Sequence, residues 1–174
     1  MSCLVLAFPE LSNKDFQLIQ EFRKDHDALY YSVVDPHFTI VFPITGIEEK
    51  DFISEIRKQS QGIQPFDFTI RCATINKNAF NDYYHIFLVP DEGYSQMVKL
   101  HDRLYSNLLF SHLHLDLDFI PHIGIASSKD KYECKRLSNE WNTTDFLFKG
   151  KISHLTIVEY QDEIVTPLEK IVLK

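Results

Sequence analysis

Pro36-His37-Phe38-Thr39-Ile40 and Pro121-His122-Ile123-Gly124-Ile125 are near-copies of one another. Each opens with proline and histidine, follows the histidine with an apolar residue, and closes on isoleucine. From 37 to 122 the histidines stand 85 positions apart, about half of the 174-residue chain. In an extended strand, residues i and i+2 share a face. His37 and Thr39 then look one way, while Phe38 and Ile40 are buried on the other. The second copy puts His122 and the Gly124 backbone on one face. If the two halves pack as pseudo-equivalent lobes, the histidines converge on one cleft.

Two converging imidazoles suit phosphodiester chemistry. With an unperturbed pKa of about 6.5, one ring can be neutral and the other charged near neutral pH. The neutral ring takes a proton from water or a hydroxyl, and the charged ring protonates the leaving oxygen. A hydroxyl two residues on, as at Thr39, can donate to a phosphate oxygen as charge develops. No metal or other cofactor is required.

On these tripeptides the chain resembles the two-histidine phosphoesterases, which include the 2'-5' RNA ligase-like proteins and the cyclic phosphodiesterases. Their mark is a pair of His-x-(Thr/Ser) tripeptides in apolar strands, one in each half of a chain of this size. The resemblance implies a bilobal α+β fold around a central cleft. It also implies substrates that are 2',3'-cyclic phosphates, 2'-5' linkages or related cyclic nucleotides. His37-Phe38-Thr39 matches the first motif, whereas His122-Ile123-Gly124 departs from the second by lacking the hydroxyl. A donor lost from a comparable site costs about 100- to 1000-fold in rate. Glycine offers in return a backbone that a phosphate can approach closely. The second reading is therefore a nucleotide-binding module with reduced or lost catalysis.

Outward from the two motifs, Cys3 to Phe8 reads as a buried strand closed by Pro9. Ser12 is a helix N-cap, with Phe16, Ile19 and Phe22 at helical spacing and an end near Asp27. Pro43 closes the first histidine strand. Glu48 to Gln59 reads as a helix. Phe66 to Ile75 alternates with Phe66, Phe68, Ile70 and Cys72 on one face, and forms a hairpin with Tyr83 to Val89. Asp91 to Leu109 reads as a helix with the stripe Met97, Leu100, Leu104 and Leu108. Leu113 to Phe119 alternates strictly and reads as a strand, and Lys129 to Trp141 as a helix. Phe146 to Tyr160 and Ile164 to Leu173 are closing strands. Hairpins outnumber βαβ crossovers and no linker interrupts residues 1–174, so the expectation is one α+β domain, and the resemblance implies that it forms two antiparallel-sheet lobes with outer helices.

A net charge of -7, with 18 Lys and Arg against 25 Asp and Glu, argues against bulk nucleic-acid binding but leaves room for a short phosphorylated ligand held by local donors, and the resemblance implies a small nucleotide or an RNA end. No stretch approaches the roughly 20 apolar residues of a spanning helix, so no membrane partner is expected. Cys3, Cys72 and Cys134 have neither metal-ligand nor disulfide-framework spacing, and read as buried thiols of a cytoplasmic protein, expected to be a monomer.

Three constellations compete. His112-Leu113-His114-Leu115-Asp116-Leu117-Asp118 would place His112, His114 and Asp116 on one strand face, a ligand set for a divalent-metal hydrolase. Strict alternation in a half-buried strand produces the same pattern. His154-Leu155-Thr156 repeats the tripeptide without the proline and reads as a sheet residue near the cleft rim. Among aromatic and basic residues, Phe42 is a ring available to a base and Arg71 a guanidinium available to a phosphate. The expected site is thus His37, Thr39 and His122 for catalysis, with Gly124, Phe42 and Arg71 for substrate.

Overall fold

Ser12 opens the first helix as its sequence predicts. Its Oγ accepts the Asp15 backbone N–H at 3.1 Å and caps α1 (Asn13–His26). A computed structural model describes residues 2–174 and gathers the strands into two sheets. The first sheet has the order β3 (Phe38–Ile44), β1 (Ser2–Ala7), β8 (His154–Gln161), β9 (Ile164–Val172). The second has the order β2 (Glu10–Leu11), β7 (Phe148–Ile152), β4 (Phe66–Lys77), β5 (Tyr84–Glu92), β6 (Ile123–Ser128). Every pairing is antiparallel, as the α+β reading requires.

Helices α1 and α4 (Lys131–Asn142) lie against the second sheet. Helix α3 (Tyr94–Leu104) lies against β3, and α2 (Glu49–Gln59) against α3. The apolar core runs through both lobes without a break, with Val5, Phe38 and Ile40 in one and Phe68, Ile86 and Ile123 in the other. Phe38 and Phe68 meet edge to face, 5.1 Å between ring centres. The opposite face of the first sheet carries a smaller cluster of Leu4, Leu6 and Val158, against which Phe8, Val34 and Tyr160 pack.

Several expectations are corrected. Strand β3 runs through Pro43 to Ile44. It is the edge strand of its sheet, where a missing N–H removes no ladder bond. Helix α3 stops at Leu104, and the chain turns through Asn107, at φ 51°, into a 3-10 turn over Asn107–His112. Leu108 is exposed in consequence, and Leu109 takes the buried place. Leu113 to Phe119 is not a strand but turn and irregular chain, with Leu115 fully out in solvent. Alternation alone does not make a strand, and this segment pairs with neither sheet. Phe146 to Tyr160 divides at Ser153 into β7 and β8, which join different sheets. A register shift between Ile70 and Cys72 breaks the alternation of β4, so Arg71 and Cys72 are both exposed. Cys3 and Cys134 are buried free thiols as expected, and Cys72 is an exposed one.

Candidate active site

The two histidines are held in the same way. His37 lies immediately before β3 and His122 immediately before β6, each preceded by a buried proline. The residue before a proline is confined to extended backbone, which fixes the direction of its carbonyl. In both motifs that carbonyl meets the histidine ring. His37 Nδ1 lies 2.8 Å from Asp35 O, and His122 Nδ1 lies 2.5 Å from Ile120 O. A carbonyl only accepts, so Nδ1 carries the proton in both rings. In each neutral ring the acceptor is then Nε2.

Both rings are half-buried and their charged forms are disfavoured. Burial lowers His37 from 6.5 to about 4, the Asp35 carbonyl bond opposes this, and the charge of Arg23 adds to it. Burial likewise lowers His122 to about 4, against the Ile120 carbonyl bond and with contributions from His37 and His85. The influence of His37 on His122 places the two rings within electrostatic reach of each other. In the unliganded protein both are neutral at pH 7. An anion held beside them would favour the charged form of one ring.

The walls differ. His37 has Phe8 beside it, 6.1 Å between ring centres. His122 lies flat on Phe87, 3.5 Å between centres and 16° between planes, and Phe87 in turn stacks with His85 at 5.9 Å. His85 is buried, and its Nε2 accepts from Asn78 Nδ2 at 2.9 Å. The sequence singled out neither Phe87 nor His85. Their only signal is that the two rings stand two positions apart in β5, and Phe87 pairs with Gly124.

Behind His37 sits Arg23, 1% exposed. Its Nε donates to Asp27 Oδ2 at 3.2 Å, and its Nη2 to the carbonyls of Tyr30 and Val34 at 3.0 and 2.8 Å. This guanidinium ties the loop that delivers His37 to helix α1.

Of the other expected residues, Thr39 shares the face of His37, paired with Leu6 of β1. Gly124 is paired with Phe87, has no positive φ, and a Cβ built there meets nothing within 4 Å. Phe42 does not join them. Its ring packs on His101 and Phe119, with centres 6.2 and 6.3 Å away, and its N–H donates to the Tyr105 hydroxyl. Arg71 is also elsewhere, its guanidinium committed to Asp91 and Glu92 on the surface. Because Leu113 to Phe119 is not a strand, the shared face proposed for His112, His114 and Asp116 does not exist. Among the described residues no group of three or more His, Cys, Asp or Glu is arranged to hold a metal. No helix of the described residues is long and apolar enough to cross a membrane.

Two antiparallel lobes, each delivering a proline-preceded histidine, define the two-histidine phosphoesterase fold. The chain belongs to the 2'-5' RNA ligase superfamily, whose family model matches residues 8–163. No curated protein matches it by sequence. Among solved structures it is similar to TT0787 of Thermus thermophilus, with TM-score 0.63, 15% identity, and 99% of this chain and 98% of that one covered. E. coli LigT complexed with 3'-AMP gives TM-score 0.58 and 13% identity over 99% and 98% of the chains. Kluyveromyces marxianus Usb1 gives TM-score 0.56 and 8% identity over 96% and 98%. At these identities the likeness is one of fold.

Proposed function

We propose that this protein is a metal-independent phosphoesterase that hydrolyses a small 2',3'-cyclic or 2'-5'-linked nucleotide. The carrying observation is the matched pair of carbonyl-anchored imidazoles, each with Nε2 left as the acceptor. One Nε2 takes a proton from water as the water oxygen bonds to phosphorus. The P–O bond to one ribose oxygen breaks, and the other ring, protonated at Nε2, gives that oxygen its proton. Thr39 donates to a non-bridging oxygen, and Gly124 leaves open space on the opposite wall. Crystals of LigT with 3'-AMP, ATP and NADP+ support a nucleotide as the ligand class.

The test is hydrolysis of 2',3'-cyclic nucleotides in excess chelator. Turnover that survives chelation and falls about 100-fold or more in His37→Ala and in His122→Ala is the expected result. Turnover abolished by chelator and restored by zinc or manganese would overturn the reading.

Gly124 favours a second reading, a nucleotide-binding module of the same cleft without efficient turnover. Under it, both alanine variants weaken nucleotide binding and no substrate is consumed.

A further inference from the structure

The third tripeptide, His154-Leu155-Thr156, lies outside both proline-histidine motifs. Direct partners across an antiparallel sheet point to the same face. Thr39 pairs with Leu6, Leu6 with Thr156, and Thr156 with Lys170, so these four residues form one row across the first sheet. Leu6 and Val158 belong to the apolar cluster on the face opposite the main core, whereas Leu155 and Ile157 belong to the main core. Thr156 therefore faces the same side as Thr39. His154, two residues back along the strand, faces it too, as His37 does beside Thr39. Phe8, in contact with His37, packs on this same face.

We infer that His154, Thr156 and Lys170 form a second phosphate-binding subsite on the cleft face, one nucleoside away from the His37 end. With β1 between them, the columns of His37 and His154 are two inter-strand spacings apart, about 10 Å. That is the scale of a nucleoside between two phosphates. The subsite repeats the groups of the first, an imidazole, here with Nδ1 3.2 Å from the Ser153 hydroxyl, and a hydroxyl two residues on, and adds an ammonium. Lys170 is exposed, and among the described residues it pairs with no carboxylate. Its charge reaches the ring: burial, then Lys170, depresses the pKa of His154, and Glu10 opposes them. Glu10 is held by the Ser153 hydroxyl. The ligand chemistry is a second phosphate on the same substrate, either the 5'-phosphate of a mononucleotide or the next phosphodiester of an RNA end.

This inference rests on the nucleotide reading of the cleft, and binding separates the two. The affinity of adenosine 3'-monophosphate is compared with that of adenosine 3',5'-bisphosphate and of a 3'-phosphorylated diadenosine dinucleotide. The comparison is made by calorimetry in the wild type, Lys170→Gln, Thr156→Val and His37→Ala. At least one doubly phosphorylated ligand should bind about tenfold more tightly than the monophosphate, and the one that does identifies the source of the second phosphate. Lys170→Gln should erase that gain and leave monophosphate affinity within about twofold. A wild type with no preference for either ligand, or a Lys170→Gln variant that weakens all three equally, would overturn the subsite. Failure of all three ligands to bind the wild type would sink the nucleotide reading itself. If the preference holds and no cyclic nucleotide is hydrolysed, the subsite stands and the catalytic reading falls.

Discussion

Both motif histidines have folded pKa values of about 4 against about 6.5 for a free imidazole. Between those values the unfolded chain binds more protons than the folded one, so stability is fully present above about pH 6.5 and lost as the pH falls towards 4. The urea midpoint should drop over that window, and drop less in a His37→Gln, His122→Gln double variant. An equal loss in both proteins would count against burial of neutral rings. The same values move the expected rate profile. A bell centred on neutrality follows from unperturbed imidazoles. With both groups near 4, kcat/KM, which reports the free protein, should peak on the acid side of neutrality. The kcat profile should sit at higher pH, because the phosphate anion favours the imidazolium. A kcat/KM maximum at pH 7 would contradict this placement. Gly124 is the other residue-scale test. Its ordinary backbone and the open space around it admit a side chain, so Gly124→Ser should fold with stability unchanged or raised by up to about 1 kcal/mol. If the site turns over slowly for want of a donor, turnover should rise by about tenfold or more. Normal folding with weaker nucleotide binding and no gain would favour the binding module.

At the scale of elements, the loop from Asp27 to His37 has no strand or helix of its own and is held by one buried arginine. Arg23 spans Asp27, Tyr30 and Val34, and Asp27 also accepts from the hydroxyl of Ser127, in β6, at 3.2 Å. Helix α1, the loop and the second histidine strand thus meet at a single ion pair. Removing the arginine strands a buried carboxylate, and such losses run to about 3–5 kcal/mol. Arg23→Ala should cost that much by chemical denaturation, and Arg23→Lys less, with the loop becoming sensitive to protease in both. A change under about 1 kcal/mol would mean that Asp27 finds water instead. The stack of His122 on Phe87 is the matching device in the other lobe. Phe87→Leu keeps apolar volume but removes the flat platform, so kcat should fall more than KM rises while the fold is retained.

Over the whole molecule, the two sheets share one apolar cluster, joined where Phe38 meets Phe68. The reading of residues 1–174 as a single domain predicts that the lobes unfold together. Unfolding followed by tryptophan fluorescence, from Trp141 on α4, should coincide with unfolding followed by circular dichroism. Phe38→Ala should move both transitions equally, by about 3–5 kcal/mol. Two separate transitions would show that the lobes are independent units.

The tandem Pro-His strands, the antiparallel organisation and the Ser12 cap were legible in the sequence, because each depends on neighbours a few residues away. The proline's effect on the preceding carbonyl is local, the i, i+2 face rule is local, and a cap reaches only three residues. Where the sequence misled, distant chain decided. Leu113 to Phe119 has a strand's pattern but pairs with neither sheet, and the bulge after Ile70 turned Cys72 outward and left Arg71 to pair with Asp91 and Glu92. Phe42 has an aromatic neighbour in Phe119, 77 positions away, which no spacing rule reveals. The row from Thr39 to Lys170 is the same kind of fact. Residues 39, 6, 156 and 170 become neighbours only through strand order, and strand order is set by which apolar faces bury one another, not by any one segment's composition.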